Sequence, residues 1–229
     1  KALACIEAYA EFAFDLRPTD VFWNAADPGW AYGLYCGILA TLTTGTPAIL
    51  FEGGFSAQAI IKIIEKQKIT NFAAAPTVYR SLRADGIEFS KGHKLRCLSS
   101  AGEPLTPEIN DWAKSFFGLS VHDHYGQTET SMVINNHHHP EIKASLRDGS
   151  MGKVMPGWSA TVLKNDEDHP EDPGVPGRVA FVVDESPFSW FTGYIGNPKK
   201  SAEKYSKDGK YYLTGDTGSM DKDGYFYFS

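Results

Sequence analysis

Side chains that could do chemistry are concentrated in the decapeptide 121–130, V-H-D-H-Y-G-Q-T-E-T. An apolar run reaches Val121, two histidines and an aspartate follow, and Tyr125-Gly126 is expected to turn the chain before four polar residues. A strand that ends in such a turn places its last side chains at the carboxyl edge of a sheet, where open α/β sheets bind ligands. An aromatic face, hydroxyl groups and one carboxylate would suit a nucleotide and a hard cation. A polar strand-to-loop junction is the alternative interpretation.

Two further segments carry residues that could bind the same kind of ligand. The segment 99–105, S-S-A-G-E-P-L, follows an apolar run, and its small residues would let the backbone approach a flat ligand closely. The segment 213–218, L-T-G-D-T-G, holds Asp216 between glycines, where its carboxylate could accept two hydroxyl hydrogens from a ribose. Taken alone, T-G-D-T-G is also consistent with an ordinary turn.

The first half of the chain alternates between strand and helix patterns. Ser56 is expected to cap one helix, and Thr106 followed by Pro107 begins another that stops at Gly118. The predicted helices cover 1–14, 31–41 (a core helix, apolar all round), 56–67, a short segment from 76, and 106–117, and the predicted strands cover 21–23, 46–51 (buried), 69–74 and 95–99. This alternation predicts a parallel sheet with right-handed crossovers, the Rossmann-like portion of an α/β fold.

The pattern changes after about residue 140, where glycine and proline become frequent and helical periodicity is confined to 199–205. The predicted strands there are short, at 160–163, 178–183, 210–214 and 225–228. These features predict a small antiparallel β subdomain, barrel-like or a meander. We therefore expect an α/β portion over 1–145 followed by a β-rich subdomain over 146–229.

Composition excludes several classes of protein. The 229 residues include 28 acidic and 22 basic side chains, and the resulting formal charge of -6 gives no footprint for nucleic acid. Cys5, Cys36 and Cys97 lie far apart, which favours buried reduced thiols in a cytoplasmic protein. The apolar stretch 31–42 is too short to span a bilayer. The sequence contains neither a nucleophile elbow, a phosphate-binding P-loop nor a dinucleotide fingerprint.

Three consecutive histidines, 137–139, raise the question of a metal site. Adjacent histidines project in different directions, and no spaced fourth ligand accompanies them. We therefore expect a solvated loop here rather than a metal centre.

Four motifs occur in an order that points to one family: S-A-G-E-P-L at 100–105, Y-G-Q-T-E-T at 125–130, G-S-M-G at 149–152 with Pro156-Gly157, and Y-L-T-G-D at 212–216. On these motifs the chain resembles the adenylate-forming superfamily, which includes acyl-CoA synthetases, luciferases and the adenylation domains of peptide synthetases. The segments 23–30 (W-N-A-A-D-P-G-W) and 76–80 (P-T-V-Y-R) are similar to the acetyl- and medium-chain acyl-CoA synthetase branch.

The resemblance implies a role for each matching residue. Thr128 would hydrogen-bond the α-phosphate of ATP and Glu129 would bind Mg2+, which makes these two the expected catalytic residues. Asp216 would hold the ribose hydroxyls, and Tyr125 would stack on the base. The complete set implied for the nucleotide is Gly102, Glu103, Pro104, Asp123, His124, Tyr125, Gly126, Gln127, Thr128 and Asp216.

The resemblance also implies an acyl-binding segment. Trp30, Ala31 and Tyr32 match residues that line the acyl pocket, together with Gly126. Acetyl-specific members carry a pocket-closing tryptophan where this chain has Gly126, so we expect an acyl group larger than acetyl, medium-chain or aryl. The alternative for Trp30 is packing in the core.

The reaction implied by the resemblance has two halves. A carboxylic acid attacks ATP to give an acyl-adenylate and pyrophosphate, and the thiol of coenzyme A then takes the acyl group. We expect the chain to be an internal piece of the N-terminal domain, inactive alone, with the phosphate loop upstream and the C-terminal lid domain downstream. A non-catalytic nucleotide- or acyl-binding module, and a ligase that loads a carrier protein, are the alternative functions.

Overall fold

A mixed ten-stranded sheet organises the computed structural model, which describes residues 1–90 and 92–229. The helices are α1 (Ala2–Phe12), a π-helix (Gly33–Leu39), α2 (Ala40–Thr44), α3 (Ala57–Lys66), α4 (Pro76–Ala84), α5 (Pro107–Phe117) and α6 (Pro198–Ala202). The strands are β1 (Phe22–Asn24), β2 (Asn71–Ala73), β3 (Cys97–Ala101), β4 (Val121–Gln127), β5 (Ser131–Asn135), β6 (Ser150–Val154), β7 (Ala160–Leu163), β8 (Gly177–Val182), β9 (Tyr211–Met220) and β10 (Phe226–Phe228).

The sheet runs in the order β1-β2-β3-β4-β5-β6-β10-β9-β8-β7. Strands β1 to β4 are parallel, and every pairing from β4–β5 onward is antiparallel. The predicted change from a parallel to an antiparallel sheet is therefore confirmed. Among the described residues the sheet stays open, with β1 and β7 at its two edges, rather than closing into a barrel.

Alternating side chains of the parallel strands divide the core into two layers, as the period of two in a strand requires. Trp23 and Phe72 face a layer built with α3, α4 and α5, whereas Phe22 and Ala73 face a layer that contains residues of α1 and the antiparallel strands. The predicted start of α3 and the predicted end of α5, two helices of the first layer, are confirmed. The Ser56 hydroxyl accepts a hydrogen bond from the Ala59 amide at 3.1 Å, and Gly118 ends α5 at φ 71°.

The predicted buried strand at 46–51 is wrong. Only Ala48 forms a bridge there, to Phe22, and Leu50 is 66% exposed. Pro47 has no amide hydrogen for a ladder, and the segment lies beyond β1 at the edge of the sheet.

The predicted core helix at 31–41 is confirmed as helical, with two differences. Most of it is a π-helix, and α2 continues it to Thr44 before Gly45 ends it at φ 68°. One side of this helical segment remains at the surface, because Leu34 and Leu42 are exposed while Cys36 and Ala40 are buried.

The histidines at 137–139 do not form a solvated loop, so that prediction is also wrong. His137 and His138 are buried, and the ring of His138 stacks on that of His122 at a centroid distance of 3.6 Å. The Nε2–H of His138 donates to the Leu98 carbonyl oxygen at 3.1 Å. Burial lowers the pKa of His122 and of His137 to about 4, so both rings are neutral at pH 7.

The three thiols, by contrast, are free and buried as predicted. None of the helices described is long and apolar enough to cross a membrane.

A charge cluster fixes the amino ends of the parallel strands, at the edge opposite the predicted site. Arg96, just before β3, donates from Nη1 to Asp15 Oδ2 and from Nε to Asp20 Oδ1, both at 2.8 Å. Thr70 Oγ1 donates to Asp20 at 2.7 Å. Although burial acts in the opposite direction, the hydrogen bonds from Arg96 and Thr70 lower the pKa of Asp20. The cluster therefore connects the segment after α1 to the starts of β2 and β3.

Arg96→Ala is expected to lower the free energy of unfolding by about 3 kcal/mol, because it leaves the buried Asp20 carboxylate without its cation. Arg17→Ala is the matched control, since Arg17 also pairs with Asp15 but its side chain is 51% exposed. The control should lose at most about 1 kcal/mol. Urea unfolding of both variants checks this, and equal losses would contradict a structural role for the cluster.

Candidate nucleotide-binding site

The carboxyl ends of β3 and β4 and the middle of β9 surround one cavity of about 280 Å³. Parallel pairing places Ser100 beside Asp123 and Ala101 beside His124, so the loop after β3 lies next to the end of β4. The lining residues are Gly102, Glu103, Pro104, Asp123, His124, Tyr125, Gly126, Gln127, Met151, Asp216 and Phe228. The structure thus brings together every residue assigned to the nucleotide except Thr128.

Strand β4 does not turn at Tyr125-Gly126 as expected. It continues to Gln127, and the turn to β5 is made by residues 128–130. The reason is antiparallel pairing with β5, in which Tyr125 opposes Ile134 and Gly126 opposes Met132, with a bulge between them. The extension carries the Tyr125 and Gln127 side chains across to β9.

The carboxylate of Asp216 is the centre of a hydrogen-bond network. Its Oδ2 accepts from Tyr125 Oη at 2.5 Å and from Gln127 Nε2 at 2.8 Å. Gln127 Nε2 also donates to the Thr214 carbonyl oxygen at 2.9 Å, and Tyr212 Oη donates to Gln127 Oε1 at 3.1 Å. Burial, followed by the bond to Asp216, raises the pKa of Tyr125 far above its usual value. Oδ1 of Asp216 accepts no side-chain hydrogen bond within the described residues and is available to a ligand.

Thr128 and Glu129 lie in the turn beyond this network and are held from outside it. Tyr35 Oη donates to the Thr128 carbonyl oxygen at 3.1 Å, and Tyr194 Oη donates to Glu129 Oε1 at 2.5 Å. The bond to Glu129 raises the pKa of Tyr194 to about 12. The Thr128 hydroxyl is exposed and makes no hydrogen bond to the described part of the chain. Neither residue lines the cavity, although both follow Gln127, which does.

No group of three or more metal-ligating side chains occurs in the described part of the chain. Glu129 supplies the one carboxylate of the 128–130 turn, and a divalent cation bound at that turn would depend on it. Mg2+ is commonly held by one or two carboxylates together with substrate phosphates, so the donor set fits a cation that arrives with a nucleotide.

Asp123 and His124 are buried residues that line the cavity. Burial raises the pKa of Asp123 to about 7 and lowers that of His124 well below its usual value. His124 Nδ1 is 2.7 Å from Tyr9 Oη, in the layer behind the sheet. At neutral pH the His124 ring carries no charge, and the Asp123 carboxyl is close to its titration midpoint.

The residues predicted for the acyl group are not all in this cavity. Trp30 is 75% exposed, which rules out core packing, while Tyr32 is buried and Ala31 is half-buried. None of the three lines the cavity, whereas Gly126 does. Their role in binding an acyl group stays a prediction.

Gly126 is required by the close approach of two backbones. A Cβ added to it would overlap the Ser131 carbonyl oxygen and Met132 Cα of β5. A tryptophan at this position could therefore not be accommodated without moving β5. The contribution of Gly126 to the size of the acyl group stays a prediction.

Several residues that complete the site were not predicted from the sequence. Met151 and Phe228 line the cavity, although Met151 lies within the quoted G-S-M-G motif. Tyr35 and Tyr194, whose hydroxyls donate to the 128–129 turn, belong to none of the motifs quoted from the sequence. No local spacing marks a tyrosine whose hydroxyl reaches another element.

Comparison with known proteins agrees with the motifs and the geometry. Residues 2–188 match the family described as AMP-binding enzyme, and the chain belongs to that family. The mitochondrial acyl-coenzyme A synthetase ACSM3 of Mus musculus is 37% identical over 220 residues, which cover 95% of this chain and 37% of that protein. The chain thus spans little more than a third of the length of this curated relative.

Two solved structures share the fold. An acyl-CoA synthetase of Brucella canis is 45% identical with a TM-score of 0.90, over 99% of this chain and 41% of that chain. The ATP-bound MatB of Rhodopseudomonas palustris is 25% identical with a TM-score of 0.85, over 99% of this chain and 43% of that chain. The predicted membership of the adenylate-forming superfamily is confirmed.

Asp123→Asn is expected to change how stability depends on pH. Because the pKa of Asp123 is about 7 when folded and 3.8 ordinarily, the folded state holds the extra proton between those values. As the pH rises between these two pKa values, the free energy of unfolding of the wild type therefore falls, by up to about 1.4 kcal/mol per pH unit. Asparagine has no proton to lose, so the variant should gain stability relative to wild type from about pH 4 to pH 7.

Urea unfolding across this pH range checks the expectation. The buried histidines titrate in both proteins, so the difference between the two curves isolates Asp123. A constant difference at all pH values would contradict the raised pKa.

Gly126→Ala should destabilise the protein by about 2 kcal/mol, because the added methyl group overlaps the backbone of β5. Gly54→Ala is the control, since a Cβ at Gly54 meets no atom within 4 Å. Thermal unfolding of the two variants measures the contrast. Equal stability would show that β5 moves aside freely and that the close approach is not a constraint.

Proposed function

We propose that the protein containing this chain activates a carboxylic acid with ATP and transfers the acyl group to coenzyme A. The observation that carries the proposal is the Asp216 carboxylate, held by Tyr125 and Gln127 at the wall of the cavity between β3, β4 and β9. Membership of the AMP-binding enzyme family supports the nucleotide as ligand. The acyl-CoA synthetase names of ACSM3 and of the Brucella canis protein support the reaction.

Different residues of the chain bind the ribose, the base and the α-phosphate of the nucleotide. Asp216 accepts the ribose hydroxyl hydrogens at Oδ1, the oxygen that the network leaves available. The loop 102–104 and the ring of Tyr125 enclose the base. The Thr128 hydroxyl donates to the α-phosphate, where negative charge accumulates during the reaction, and fixed donors of this kind stabilise such charge. The substrate carboxylate attacks the α-phosphorus, and the bond to pyrophosphate breaks.

Glu129 would hold Mg2+, and the bound ion would neutralise negative charge on the phosphates. In the second half-reaction the coenzyme A sulfur bonds to the acyl carbon, and AMP leaves. The substrate class we propose is a medium-chain or aryl carboxylic acid. A cytoplasmic location is proposed with it.

Charge in the cavity sets a limit on what the 229-residue chain does alone. Within the described residues no lysine or arginine lines the cavity, whereas Glu103, Asp123 and Asp216 do. Arg80 pairs with Glu103, but no lysine or arginine of the described residues pairs with Asp216, so a triphosphate would meet uncompensated negative charge there, while AMP carries less charge. We therefore expect this chain alone to bind AMP weakly and to form no adenylate.

Asp216→Asn tests the proposal. Loss of the carboxylate removes charge-assisted hydrogen bonds worth about 1.5–3 kcal/mol, so AMP affinity should fall roughly tenfold or more. Isothermal titration calorimetry with AMP measures the change. Asp184→Asn is the control, because Asp184 is exposed and makes no side-chain hydrogen bond to the described residues. Equal AMP affinity in wild type and Asp216→Asn would contradict the ribose assignment, and no AMP binding by wild type would contradict a nucleotide site in this chain.

A further inference from the structure

Tyr194 connects the segment between β8 and α6 to the β4–β5 turn. Its hydroxyl donates to Glu129 Oε1 at 2.5 Å, across 65 residues of sequence. Oε2 of Glu129 accepts no hydrogen bond from the residues that the structure describes. A single donor thus fixes one oxygen of the carboxylate and leaves the other available.

Tyr194 makes further contacts within its own segment. Its backbone amide donates to Ser201 Oγ at 2.7 Å, and that hydroxyl donates to the Asn197 carbonyl oxygen at 2.8 Å. The ring contacts Phe191 edge-on at a centroid distance of 5.0 Å, and Lys200 Nζ lies 5.3 Å from the ring centroid. The backbone and the ring of Tyr194 therefore have contacts of their own, in addition to the hydroxyl bond to Glu129.

The segment that carries Tyr194 is also attached to the nucleotide site. Lys204, which follows α6, donates from Nζ to the Thr214 carbonyl oxygen at 3.1 Å, and Gln127 donates to the same oxygen at 2.9 Å. The Leu213 amide donates to the Lys204 carbonyl oxygen at 2.7 Å. The elements that hold Glu129 and Asp216 are thus parts of one connected network.

We propose that Tyr194 is a positioning residue that fixes the Glu129 carboxylate for a divalent cation bound with the nucleotide phosphates. The inference rests on the proposed function, because it takes Glu129 as the cation ligand. A glutamate in a turn has several accessible rotamers, and ordering it upon binding costs free energy. The hydrogen bond from Tyr194 orders the side chain before the cation arrives, so less is lost when the complex forms.

The alternative is that the bond only fastens the 194–205 segment to the turn. In that case its loss would lower stability without affecting the cation. The two roles are separated by measuring cation affinity and nucleotide affinity on the same variants.

The test compares Tyr194→Phe with Tyr205→Phe. Each loses one hydroxyl from the same segment, but that of Tyr205 donates to the Phe191 carbonyl oxygen and does not touch Glu129. AMP affinity without metal is measured by calorimetry. Mn2+ is then titrated in the presence of saturating ATP, and its binding is followed by water-proton relaxation on the longest natural polypeptide that contains this sequence.

Tyr194→Phe is expected to weaken Mn2+ binding in the ternary complex about fivefold, with AMP affinity unchanged, since ordering one side chain accounts for about 1 kcal/mol. Tyr205→Phe should match wild type in both. Glu129→Gln should weaken Mn2+ binding more strongly, and Glu129→Gln combined with Tyr194→Phe should be no weaker than Glu129→Gln alone, as expected for residues that act through one another.

Unchanged Mn2+ affinity in Tyr194→Phe, in a wild type that binds AMP, overturns the inference and leaves the proposed function standing. A wild type that binds AMP but shows no Mn2+ relaxation signal with ATP also overturns it. Failure of wild type to bind AMP overturns the proposed function itself.

Discussion

Strand β4 is the constraint on which the rest of the structure depends, because it pairs in parallel with β3 and antiparallel with β5. One strand thereby joins a helix-covered parallel sheet to an antiparallel sheet. Its carboxyl end, residues 123–127, projects into the cavity formed where the two kinds of sheet meet. The close approach of β4 and β5 at Gly126 is what allows the strand to continue far enough for Tyr125 and Gln127 to reach Asp216.

Tyrosine hydroxyls then connect elements that are far apart in the sequence. Tyr125, Tyr194 and Tyr212 each donate to a polar side chain on another element, and Tyr35 donates to the backbone of the turn. Each of these rings also contributes apolar contact area, so one residue type both packs the junction and orients its polar groups. Within the part of the chain that the structure describes, the carboxylates of Asp216 and Glu129 each keep one oxygen free of side-chain hydrogen bonds. This arrangement suits a ligand that brings its own hydroxyls and phosphates.

Much of this arrangement could be predicted from the sequence, for identifiable physical reasons. The periodicity of apolar residues predicted α3, α5 and most strands. The loops after β3 and β4 could be expected to lie close together, because neighbouring parallel strands end at one edge of the sheet. Position in the sheet could not be predicted, which is why the segment 46–51 was wrongly expected to be buried. The histidines at 137–138 were misjudged because the burial of a loop depends on distant residues, and the two partners of His138, Leu98 and His122, are supplied by other strands. Tyr194 was missed for the same reason.

Acid-dependent exchange of pyrophosphate into ATP tests the central claim most directly. The longest natural polypeptide that contains this sequence should be assayed with acetate, medium-chain acids and aryl acids. The account predicts exchange that requires a carboxylic acid larger than acetate and that disappears in Asp216→Asn. A polypeptide that binds AMP but supports no exchange with any of these acids would contradict it, and would instead indicate a non-catalytic nucleotide-binding module.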